Sequence, residues 1–119
     1  MDLREVMQQK KFAVVGDTTN EEKYAYLIKN GLIAKGYTTY CVGSELSSLN
    51  DIEDDIDIID LCINPPEGIK ILKDCKKKFK MIVIQPGASS EEIVNYLTEN
   101  NMPFMDGCVL VGLSVYAGK

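Results

Sequence analysis

Histidine and tryptophan are both missing from this chain of 119 residues. Without histidine there is no side chain whose ordinary pKa lies near neutrality and no imidazole to ligate a metal. A Ser–His or Cys–His catalytic unit is excluded for the same reason. The four cysteines are Cys41, Cys62, Cys75 and Cys108, and none stands in a C-x-x-C pair, which removes zinc-ribbon and thioredoxin-type sites. No apolar run approaches the ~20 residues of a membrane span. The charged start Met1-Asp2-Leu3-Arg4-Glu5 is not followed by an apolar segment. Reduced thiols, a cytoplasmic location and no membrane partner are therefore expected. Thirteen basic residues against 18 acidic ones leave a net charge of −5, so the basic face of a nucleic-acid binder is also lacking. The lysines between Lys70 and Lys80 have only Phe79 as an aromatic companion and read as a helix surface. The acids of 51–60 lack the glycine-turned ligand pattern of a calcium loop and read as solvated surface. Asp60 is the exception, because it alternates into a buried strand as a structural hydrogen-bonding group. No metal site is expected.

What remains is ordinary for one globular domain over 1–119, with 45% hydrophobic and 26% charged residues. Asp2 caps a short helix over 2–10. Lys11 to Gly16 is an apolar run of the kind that fills a parallel strand buried on both faces. Asn20 is placed to cap a helix over about 21–35, with Tyr24, Leu27, Ile28 and Leu32 as its inner stripe and Gly36 just beyond its end. A second strand is expected at Tyr37–Val42 and a third at Asp57–Ile63. Asn64-Pro65-Pro66 then opens a helix, since proline fits the first turn, where its missing N–H has no helical partner. Met81–Ile84 is a fourth strand. Ser89 and Glu92 have the spacing of a capping box for a helix to about Glu99. A fifth strand is expected near Pro103–Met105, followed by a short apolar segment from Cys108 to Leu113.

This alternation of strands and helices with short connections predicts an α/β, Rossmann-like, doubly wound parallel sheet of about five strands in three layers. The order 2-1-3-4-5 follows. It reverses between the first and third strands, and a ligand crevice belongs there, outside the carboxyl ends of the strands. Gly16-Asp17-Thr18-Thr19-Asn20 stands at that edge, with one glycine and no G-x-G-x-x-G fingerprint. A glycine, small hydroxyl residues and a helix N-terminus suit a phosphate. Asp17 would repel one, and Lys23 would offset it. The alternative is a capped helix entry with no ligand.

The chain resembles the stand-alone coenzyme A-binding domain proteins, relatives of the nucleotide-binding domain of the succinyl-CoA synthetase alpha subunit. The resemblance rests on Phe12 to Tyr24, Lys35-Gly36-Tyr37, Tyr40-Cys41-Val42, Leu49 to Ile52 and Ile56 to Asp60. Asn64-Pro65-Pro66-Glu67, Ile84-Gln85-Pro86-Gly87 and Met105-Asp106-Gly107-Cys108 complete it, all in family order. It departs from the family at Asp17, where alanine is common, at Gly43-Ser44, at Gly107, and in a shorter loop after the second strand. The resemblance implies coenzyme A or an acyl derivative as the ligand. Its diphosphate would lie on Gly16, Asp17, Thr18, Thr19 and Asn20, with Lys23 and Tyr24 beside them. The adenosine would lie at Val42, Gly43 and Ser44. Ile63, Asn64 and Pro65, with Gln85 and Gly87, would close the other side.

The expected function is non-catalytic binding of this nucleotide-type ligand. One alternative is an NAD or nucleotide sensor, although the second strand ends Cys41-Val42-Gly43-Ser44 with no acid at its tip for the ribose hydroxyls. Another is an interaction subunit with a degenerate site, for which the apolar stretch from Cys108 to Tyr116 offers a homodimer or partner surface. The cysteines read as small apolar packing residues. The alternative is disulfide exchange with a ligand thiol by Cys41, Cys62 or Cys108.

Overall fold

The computed structural model describes residues 1–117. Five parallel strands form one sheet in the order β2-β1-β3-β4-β5. They are β1 (Lys11–Val15), β2 (Thr38–Val42), β3 (Ile58–Leu61), β4 (Met81–Ile84) and β5 (Phe104–Asp106). The predicted order and the central position of β1 both hold. Central strands read as unbroken apolar runs because both of their faces are covered. Every residue of β4 and all but Lys11 of β1 are buried.

Helices α1 (Leu3–Met7), α2 (Tyr24–Ala34) and α5 (Val109–Tyr116) cover one face. Helices α3 (Pro65–Asp74) and α4 (Glu91–Glu99) cover the other, with a 3-10 turn at Leu49–Asp51. Phe12, Val14, Ile58 and Val83 point to the first face, and Ala13, Val15, Ile59 and Ile82 to the second. No helix is long and apolar enough to cross a membrane among the described residues.

Several boundaries differ from expectation. Helix α1 ends at Met7, although Asp2 caps it as expected, in a full capping box with Glu5. Helix α2 begins one turn late. The Asn20 side chain accepts the Glu22 N–H at 3.0 Å and the Asn20 carbonyl accepts the Lys23 N–H at 3.0 Å, so 20–23 form a turn of their own. Its inner stripe is Ala25, Ile28 and Leu32, whereas Tyr24 and Leu27 are 61% and 44% exposed. Strand β3 stops at Leu61 because the chain must turn for Asn64 to cap α3, whose Glu67 N–H donates to the Asn64 side chain. Ser90, not Ser89, caps α4, by accepting the Ile93 N–H at 3.2 Å. The expected Ser89–Glu92 box is therefore not formed.

The apolar segment after Cys108 is a helix. Apolar residues all round α5 hide its period: Val109, Gly112 and Leu113 are buried, while Val111, Val115 and Tyr116 are exposed. It sits close to its neighbours because two glycines allow it. A Cβ on Gly112 would come within 2.8 Å of Met7 of α1, and one on Gly31 of α2 within 2.8 Å of Leu113.

Candidate functional site

The carboxyl edge of the sheet is tightly drawn together where β1 meets β2 and β3. The Gly16 N–H donates to the Val42 carbonyl at 2.9 Å, and the Cys62 N–H donates to the Val15 carbonyl at 2.8 Å. These bonds extend both ladders one residue past the strand ends. Gly16 is required by contact: a Cβ there would lie 2.6 Å from the Cys62 carbonyl oxygen and 3.1 Å from the Ala25 Cβ. Gly43 abuts it from the β2 side, with φ at +105° and room for a Cβ only 3.2 Å from the Gly16 carbonyl oxygen. The two glycines thus bring three loops together over the switch point of the sheet.

The hydroxyls of this loop are committed to the protein. Thr18 is buried, and its hydroxyl pairs with that of Ser44, tying the β1 loop to the β2 loop. Asp17 turns its carboxylate onto Thr19, accepting the backbone N–H at 3.1 Å and the hydroxyl at 2.7 Å. The Thr19 hydroxyl, then the Thr19 N–H, hold the Asp17 pKa below its ordinary value. The sequence suggested both threonine hydroxyls as donors to a phosphate, and here both are engaged within the protein instead. The turn before α2 also leaves that helix without a side-chain cap at Lys23. The Tyr26 N–H donates to the Lys23 carbonyl at 3.1 Å, which leaves the N–H groups of Tyr24 and Ala25 open.

Two adjoining clefts occupy the edge. The larger, about 520 Å³, is lined by Gly16, Asp17, Thr19, Lys23, Gly43 and Ser44 on one side and by Cys62, Ile63, Asn64 and Glu67 on the other. The smaller, about 190 Å³, runs between Tyr24 and the turn Gln85–Ala88. Lys23, Cys62, Ile63 and Asn64 line both. The turn is closed by the Ala88 N–H donating to the Gln85 carbonyl at 2.9 Å. Pro86 at its second position and Gly87 at its third, with φ at +91°, give a type II turn. The larger cleft carries one cation, Lys23, against the acids Asp17 and Glu67.

Beneath the smaller cleft lies a buried polar group of residues. Asp60 is fully buried, with Val14 and Val83 as its register partners on the flanking strands. Its Oδ2 accepts the Cys62 thiol at 3.2 Å, and its Oδ1 has no partner. Burial pushes the Asp60 carboxyl up to about 7, against a smaller opposing effect of the thiol. Burial, then the Asp60 charge and nearby Cys108, push the Cys62 thiol well above its ordinary value. Gln85 is 4% exposed; its Nε2 donates to the Cys108 Sγ at 2.9 Å, and its Oε1 also lacks a partner. Asp60 is thus only half satisfied as a structural hydrogen-bonding residue.

Of the residues expected at the site, Gly16, Asp17, Thr19, Lys23, Tyr24, Gly43, Ser44, Ile63, Asn64, Gln85 and Gly87 line the clefts. Thr18 and Val42 are buried behind the wall, Asn20 closes the turn before α2, and Pro65 opens α3. Glu67 lines the larger cleft without having been expected there, and so does Cys62, which the sequence offered near the ligand only as an alternative to packing. Cys62 could have been found from register, being the second residue after Asp60 on the same face. Glu67 follows from Asn64 as the cap, because the third helical position turns back toward its cap.

A doubly wound parallel sheet with its cleft at the switch point is the architecture of a Rossmann-like α/β domain. Residues 10–114 match the family model described as CoA binding domain, and the chain belongs to that family. Among solved structures it is similar to a conserved hypothetical protein from Pyrococcus furiosus, at 28% identity and a TM-score of 0.76, over 87% of this chain and 98% of that one. A hypothetical protein from Pyrococcus horikoshii OT3 shares the fold at 24% identity and a TM-score of 0.83, over 95% and 88% of the two chains. A Thermus thermophilus protein does so at 21% and 0.74, over 96% and 98%. No curated protein gives a significant match.

Proposed function

We propose that the chain binds coenzyme A or an acyl-CoA, without turnover, along the two joined clefts. The observation that carries this is their continuity: a wide polar cleft at the switch point leads, past Lys23 and Cys62–Asn64, into a narrower one beside Gln85–Ala88. A ligand with a nucleotide head and a thin, flexible arm has that shape. In this pose the diphosphate lies over Gly16 and Gly43, near Lys23 and the open N–H groups of α2. The arm passes Asn64 and ends near Gln85. Asp17 and Glu67 oppose the phosphates, so binding is weaker than the fold allows, and salt screens that repulsion along with the attraction of Lys23.

The test is calorimetric titration with coenzyme A, acetyl-CoA, pantetheine, ATP and NAD. Coenzyme A and acetyl-CoA should bind more tightly than ATP or NAD, and pantetheine weakly. Equal affinity for NAD or ATP would favour a general nucleotide sensor. Silence toward all five would favour an interaction subunit with a degenerate site.

A further inference from the structure

We propose that Cys62 is a thiol–disulfide exchange site for the thiol end of the ligand, with Asp60 as the acceptor of its proton. The inference rests on the coenzyme A reading and adds to it a covalent step. Three observations meet at one place. Cys62 is half-buried and lines both clefts at their junction. Its thiol already donates to Asp60 Oδ2 at 3.2 Å, so thiol and acceptor are in hydrogen-bond contact. Gln85, almost wholly buried, lines the narrower cleft beside Cys62 and carries a carbonyl oxygen with no partner in the protein. A buried amide oxygen left unpaired costs stability unless something supplies a donor. Gln85 Oε1 lies under the wall of the narrower cleft, and a pantetheine amide N–H reaches it once that side chain turns outward.

The chemistry balances without an outside oxidant. The substrate class is a disulfide of the ligand, in which its thiol is joined to a second thiol. Cys62 Sγ attacks the ligand's sulfur while its proton passes to Asp60. The ligand's S–S bond breaks, and the departing thiolate takes that proton. The products are a Cys62–ligand mixed disulfide and one free thiol, with one S–S bond before and one after. Burial keeps Cys62 protonated at rest, so the proton must leave in the reacting step. A carboxyl raised to about 7 is a far better acceptor than an ordinary aspartate. The fold holds it there without exposing it to solvent.

The experiment incubates the intact protein with coenzyme A disulfide and, separately, with glutathione disulfide, and maps the adduct by peptide mass spectrometry. The expected adduct lies on Cys62, is reversed by a dithiol reductant, and forms about tenfold or more faster with coenzyme A disulfide, because binding aligns the sulfurs. Cys75→Ser, at the far end of α3, should leave the rate unchanged. Asp60→Asn should lower the saturating rate by about a hundredfold while holding the half-saturating concentration. Labelling of Cys41 or Cys75 in place of Cys62, or equal rates with the two disulfides, overturns the inference. Coenzyme A is titrated in parallel by calorimetry. Binding without a Cys62 adduct overturns the exchange site and leaves the binding reading standing, whereas absence of binding overturns both.

Discussion

The two halves of the carboxyl edge are built on opposite principles. On the β1–β2 side every hydroxyl near the cleft is paired within the protein: Thr18 with Ser44, and Thr19 with Asp17. Two glycines set the spacing there by steric necessity. On the β3–β4 side, two buried acceptors, Asp60 Oδ1 and Gln85 Oε1, have no partner, and two thiols stand beside them. The first half is a wall whose hydroxyls are already spent, leaving Lys23 and the start of α2 as its donors. The second leaves two buried acceptors unpaired, at a cost in stability. Shape is therefore set at one end of the site and chemistry at the other.

The largest expected effect tests the first half. Gly16→Ala drives a Cβ against the Cys62 carbonyl, where backbone on both sides must shift. Unfolding in urea should show a loss of about 2–3 kcal/mol, and coenzyme A binding should fall with it. A neutral variant would mean that the loops are not held in contact.

Next comes the unsatisfied half. The Asp60 pKa of about 7 lies above the ordinary 3.8, so between those values the folded state holds a proton that the unfolded state has lost. Its stabilising contribution is complete below the lower value and disappears as pH rises through the upper one. Stability should fall by roughly 2 kcal/mol from pH 5 to pH 7, and Asp60→Asn should flatten that slope. Asp54 and Asp57 do not interfere, because their pKa values are lowered and they act in more acidic solution. The Asp54 value is held down chiefly by Lys11. At Asp57, burial is outweighed by the Lys10 and Lys11 N–H groups with Lys80. Denaturant midpoints across pH, for wild type and variant, check this. A profile unchanged by the variant would place the titration elsewhere.

The smallest effects concern charge at the mouth. Lys23→Ala should weaken coenzyme A several-fold, most clearly at low salt. Asp17→Ala removes a like charge and frees the Thr19 hydroxyl, so it should tighten binding several-fold while lowering the melting temperature slightly. Calorimetry at two salt concentrations separates the two variants. Unchanged affinity in both would detach the phosphates from this loop.

Strand order, the layers and the switch point could be read from the sequence, because the apolar runs of β1 and β4 and the capping residues Asp2 and Asn64 are local signals. Less legible were contacts that exist only after folding. Nothing in 20–23 shows that Asn20 will close a turn before α2 instead of capping it. The late start of that helix turns Tyr24 and Leu27 outward. Helix α5 was obscured because it is apolar on every side, so no period marks it. At the site, loops named from topology reached the clefts, but side-chain commitments did not follow from residue type. Thr18 and Thr19 look like phosphate donors until Ser44 and Asp17 are seen to hold them. Cys62 looks like packing until its register with Asp60 is known.

The central claim is a ligand laid across both halves, head on the glycine wall and arm beside the Gln85–Ala88 turn. Backbone amide chemical shifts, followed during titration with coenzyme A and then with ADP, test it most directly. The account predicts that coenzyme A moves the Gly16, Gly43, Lys23 and Cys62 signals together with those of Gln85, Gly87 and Ala88, and that ADP moves only the first four. Shifts confined to the Gln85–Ala88 turn, or to a surface away from the carboxyl edge, would contradict it.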